Sequence, residues 1–118
     1  MNRSDLRTIL LAEDNPVDAE MTVDALREAK LANPVVHVED GVEVLHYLRA
    51  TGPYAGRAPG APAVLLLDIK MPLMDGLEVL SQMRADPAMA RIPVVILSSS
   101  REESDLIRSW DLAPGATD

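Results

Sequence analysis

The chain has 118 residues, room for one domain and one core, and its 47% apolar and 25% charged residues are an ordinary globular balance. The absence of Cys excludes a disulfide framework and thiolate metal sites, and with no secretory or long apolar segment it points to the cytoplasm and away from a membrane. A formal net charge of −8 disfavours nucleic acid as a direct partner, because backbone binding rests on clustered Lys and Arg, and favours a cation or a basic protein surface.

The first element is a strand in "TILLAED", Thr8 to Asp14, a short apolar run that closes on two acids. A helix follows in "NPVDAEMTVDALREAK", with Ala19, Val23 and Leu26 at helical spacing, Pro16 suited to the first turn and Asn15 to its cap. "PVVHVED", Pro34 to Asp40, reads as a second strand, and "GVEVLHYLRAT" as a second helix with Val42, Val44, Leu45 and Leu48 on one stripe. "GPYAGRAPGAP" is a loop by composition. The third strand, Ala63 to Asp68, leads to a third helix in "DGLEVLSQMRADP", with Leu77, Leu80 and Met83 inward and a stop before Pro87. "IPVVILS" is the fourth strand, and "REESDLIRSWDL" a fourth helix with Leu106, Ile107 and Trp110 on one side. His37 and His46 lack metal-ligand spacing and read as structural, and the scattered Met residues as core filler.

Strict strand–helix alternation predicts parallel strands with helices on both faces of an open sheet. In such sheets ligands bind beyond the carboxyl ends of the strands, where strand order reverses. Glu13 and Asp14 end the first strand, Asp68 the third and Ser98 the fourth. If the first and third strands are neighbours, three carboxylates converge and repel, so the pocket must raise carboxyl pKa values or hold a cation. A hard divalent ion such as Mg²⁺ suits oxygen ligands and accepts a phosphate oxygen as well. An Asp68 oxygen can then attack a phosphoryl group, with the Ser98 hydroxyl placed to donate to it. The bland alternatives are a solvated helix-entry pair for Glu13 and Asp14, a turn cap for Asp68, and a capping loop for the Ser98–Ser100 run.

The acid pair in "LAEDNPVD", the strand-end aspartate in "LLLDIKMPLMDG" and the strand-end hydroxyl in "IPVVILSSS" together resemble the receiver domain of bacterial two-component response regulators. The spacing of "YLRATGPYAGRAPGAPAVLLLD" resembles the stand-alone regulators, some of which serve bacterial phytochromes. The resemblance implies a single α/β receiver domain over residues 1–118, flavodoxin-like and doubly wound. It implies Asp68 as acceptor of phosphate from a histidine kinase, with the kinase of the bacterial phytochrome type. It also implies Glu13, Asp14 and Asp68 as Mg²⁺ ligands with the Lys70 backbone carbonyl, and Ser98 as the switch hydroxyl. Such a protein has no conventional turnover; it catalyses phosphorylation and dephosphorylation of its own aspartate and signals to a protein partner.

The family's fifth strand with its lysine, and its fifth helix, have no counterpart before the end "DLAPGATD", so the expected sheet order is 2-1-3-4 in a C-terminally truncated receiver. The fourth strand is then an apolar sheet edge, which predicts self-association. Three other classes compete. A haloacid dehalogenase-type hydrolase places a second Asp two residues after the first, where this chain has Lys70. A nucleotide-binding domain needs a Gly-rich loop after the first strand, which is absent. A docking module that works without phosphorylation shares the fold, and only the fate of Asp68 separates it from a receiver.

Overall fold

The computed structural model describes residues 7–97. Along the chain lie β1 (Ile9–Ala12), α1 (Pro16–Glu28), β2 (Val35–Val38), α2 (Gly41–Arg49), a 3-10 turn (Gly52–Tyr54), β3 (Val64–Leu67), α3 (Gly76–Ala85) and β4 (Val94–Ile96). The predicted fourth helix, Trp110 and Ser98 lie outside the described residues.

The strands form one parallel sheet of order β2-β1-β3-β4, as expected. Each strand is short, and its side chains alternate between the two faces. Leu10, Ala12, Leu65 and Leu67 point to one side, where they pack with Val44, Leu45, Val79, Leu80 and Met83 of α2 and α3. Ile9, Leu11 and Leu66 point to the other, against Ala19, Val23 and Leu26 of α1. Burial on both faces of β1 and β3 explains why these two strands read as continuous apolar runs rather than as alternating patterns.

Each helix start is written in the sequence. Asn15 Oδ1 accepts from the Val17 and Asp18 backbone N–H groups at 2.9 and 3.1 Å, and Pro16 opens α1. Asp40 Oδ1 accepts from the Glu43 N–H at 2.7 Å to start α2, and Asp75 Oδ1 from the Glu78 N–H at 2.9 Å to start α3. Two glycines let these starts approach the β3–α3 connection. A Cβ on Gly76 would lie 2.5 Å from the Asp68 carbonyl oxygen, and one on Gly41 would collide with the Met74 carbonyl.

The loop after α2 is built rather than slack. Ala50 ends the helix in the left-handed conformation, and Arg57 folds back over it. Its guanidinium donates from Nε to the Tyr47 carbonyl at 2.6 Å and from Nη1 to the Ala58 and Gly60 carbonyls at 2.8 and 3.0 Å. The same group lies 4.4 Å above the Tyr47 ring, which meets Tyr54 edge-on at 5.2 Å. The Tyr54 hydroxyl donates to Glu43 Oε2 at 2.8 Å. Burial and this bond to a carboxylate raise the Tyr54 pKa to about 12.

Candidate functional site at the strand ends

Register decides which side chains meet. Ala12 pairs with Val38 on one side and Leu67 on the other, and Leu67 pairs with Ile96, so all strands stop at one level. The ladder runs one step further at each junction. The Glu13 N–H donates to the Val38 carbonyl at 3.0 Å, the Asp68 N–H to the Ala12 carbonyl at 3.0 Å, and the Leu97 N–H to the Leu67 carbonyl at 2.9 Å. Glu13 and Asp68, the first residues past adjacent strands, are thereby held side by side.

Glu13, Asp14 and Asp68 each present an oxygen within 4.8 Å of the others. Glu13 is buried at 6% exposure, Asp68 is half-buried and Asp14 exposed, so the cluster opens to solvent on one side. Burial is the main reason the Glu13 pKa is pushed up to about 7. The Asn15 N–H, donating to Glu13 Oε2 at 3.1 Å, opposes that rise. A hydrogen bond with Asp68, its charge and that of Asp18 reinforce it. This is the charge frustration expected of converging carboxylates, and it fits a divalent cation: hard oxygen donors, an open side and an unfavourable anionic state without one.

Lys70 follows two residues after Asp68 in the β3–α3 connection, with its side chain exposed. The chain leaves β4 at Leu97, bonded to the end of β3, and Ser98 comes next in sequence, outside the described residues. His37 Nε2 lies 2.7 Å from the Glu13 backbone carbonyl oxygen, a contact that apolar periodicity and ligand spacing do not reveal because its partner is main chain. His46 Nδ1 lies 3.0 Å from Thr51 Oγ1.

Known proteins are similar to this chain in sequence and fold. The family model described as the response regulator receiver domain matches residues 9–118. The response regulator Rcp1 of Synechocystis is 33% identical over 106 residues, covering 90% of this chain and 71% of Rcp1. Its Mn(2+)-bound structure superposes with a TM-score of 0.78 at 33% identity, covering 90% of this chain and 75% of that one. The bacteriophytochrome response regulator AtBRR is 54% identical with a TM-score of 0.87, over 92% of this chain and 78% of that one. The phosphorylated cyanobacterial phytochrome response regulator RcpA is 42% identical with a TM-score of 0.78, over 91% and 75%. The family binds a divalent metal. Among the described residues no helix is long and apolar enough to cross a membrane. By sequence match, sheet order and the acidic cluster at its strand ends, the chain belongs to the response regulator receiver domain family of two-component signalling.

Proposed function

We propose that the chain is a stand-alone cytoplasmic receiver that takes a phosphoryl group from a sensor histidine kinase onto Asp68 and signals through a protein partner. The observation that carries this reading is the gathering of Glu13, Asp14 and Asp68 oxygens within 4.8 Å at the ends of adjacent strands. Glu13, Asp14, Asp68 and the Lys70 carbonyl would hold Mg²⁺. When bound, that ion neutralises charge on the transferred group. An Asp68 carboxylate oxygen attacks phosphorus in line, the P–N bond to the kinase histidine breaks, and its electron pair returns to the imidazole nitrogen. Ser98 would donate its hydroxyl hydrogen bond to the phosphoryl group. The residue before Ser98, Leu97, donates its N–H to the Leu67 carbonyl and ties the end of β4 to the end of β3. Likeness to the phytochrome response regulators AtBRR and RcpA favours a bacterial phytochrome as the kinase.

Incubation with acetyl phosphate and Mg²⁺, followed by intact-mass spectrometry, tests the reading. One phosphoryl adduct, absent from Asp68→Asn, supports it. A folded protein that takes up no phosphoryl group would instead be a docking module.

The same reading extends to self-association through β4. Val95 is 49% exposed, and among the described residues β4 pairs on one side only, with β3. Multi-angle light scattering is expected to show a species larger than the monomer, and a monomer at every concentration sampled would contradict the proposal.

A further inference from the structure

We infer that His37 is a positioning residue for the acidic cluster, acting on Asp14 through the backbone. β2 turns away at Asp40, the N-cap of α2, so the last ladder bond on that side runs from the Glu13 N–H to the Val38 carbonyl at 3.0 Å. The next acceptor, the Glu13 carbonyl, takes its bond from a side chain instead, with His37 Nε2 at 2.7 Å. A carbonyl only accepts, so the imidazole must carry its proton on Nε2. Consecutive residues of β2 therefore hold the two ends of Glu13, one by main chain and one by side chain.

The consequence falls on the neighbour. The Glu13 carbonyl and the Asp14 N–H belong to one planar peptide unit, so fixing the direction of that carbonyl fixes the plane from which the Asp14 side chain departs. Glu13 has other restraints: it is buried, and its Oε2 accepts from the Asn15 N–H at 3.1 Å. Asp14 is exposed, and the orientation of its peptide is what aims its carboxylate at Glu13 and Asp68. His37 is itself exposed at the sheet edge, so its replacement leaves both cores untouched.

This inference rests on the metal-site reading above, and the test separates the two. Mg²⁺ is titrated into the full chain by calorimetry, for wild type, His37→Leu, His37→Asn and His37→Gln, with urea unfolding in chelator run in parallel. The Gln amide nitrogen reaches the position of Nε2, whereas that of Asn stops short. Leu and Asn are expected to weaken Mg²⁺ binding roughly tenfold, as loss of an outer-sphere restraint does elsewhere, and Gln to stay within about twofold of wild type. Should Leu fail to fold, the contrast between Asn and Gln decides. A purely structural role would lower the urea midpoint and leave Mg²⁺ affinity unchanged, which would overturn the inference. Gln as weak as Asn would overturn it too. Absence of Mg²⁺ binding by the wild type would overturn the metal-site reading and the inference with it.

Discussion

Glu13 shows most directly how position creates chemistry in this protein. A carboxyl group taken out of water beside Asp68 favours its protonated form, and its pKa of about 7 stands above the ordinary 4.5. The folded state therefore binds a proton more tightly than the unfolded state does. The resulting stabilisation is fully present below pH 4.5 and is lost as pH rises through about 7. In chelator, Glu13→Gln is expected to stabilise the protein at pH 8 by roughly 1–3 kcal/mol and to have little effect at pH 4.5, as read by urea unfolding. Equal effects at both pH values would contradict this origin of the shift. Asp68 and the acid pair were legible from sequence because apolar runs that end in acids are hard to explain otherwise. His37 and Arg57 were not legible in these roles. Their partners are backbone carbonyls of Glu13 and Tyr47, and every residue type presents a carbonyl.

Helices and loops fix the site from behind. Gly76 begins α3 with its N–H bonded to the Ile69 carbonyl at 2.8 Å, and its missing Cβ leaves room for the Asp68 carbonyl. Alanine normally favours a helix over glycine by up to about 1 kcal/mol. Here the obstruction is backbone, which cannot rotate away, so the clash should win. Gly76→Ala is expected to destabilise by roughly 1–3 kcal/mol in urea unfolding, and a stabilised variant would contradict the close approach. Arg57 closes the far end of α2. Arg57→Met keeps the stem and removes the donors, and the loss of a charged hydrogen bond and the ring contact should lower stability by about 2 kcal/mol. An unchanged midpoint would mean that the loop is held by Tyr54 and Glu43 alone. Sequence pattern located α1, α2 and α3 because Asn15, Asp40 and Asp75 stand at the caps and the apolar residues recur at helical spacing. Strand limits came out shorter than expected, with β1 running from Ile9 to Ala12 rather than Thr8 to Asp14. The acids past Ala12 leave the sheet to enter the pocket, so the same polarity that marks the site ends the strand. The 52–62 loop gave only a composition, since its order comes from one arginine reaching several carbonyls without any period.

The molecule as a whole turns strand order into a site. With β1 between β2 and β3, the residues that follow Ala12 and Leu67 are neighbours although they lie far apart in sequence. Alternation of strands and helices made the parallel sheet legible, with the strand ends as the place for a ligand, whereas the strand order followed only from the family resemblance. A surface for a protein partner is not legible in the same way, because an interface carries no internal periodicity. Intact-mass spectrometry after acetyl phosphate treatment tests whether this pocket makes Asp68 a phosphoryl acceptor. The wild type is expected to gain a single phosphoryl adduct that requires Mg²⁺ and is absent from Asp68→Asn. A folded wild type with no adduct, or an adduct that persists in Asp68→Asn, would contradict it.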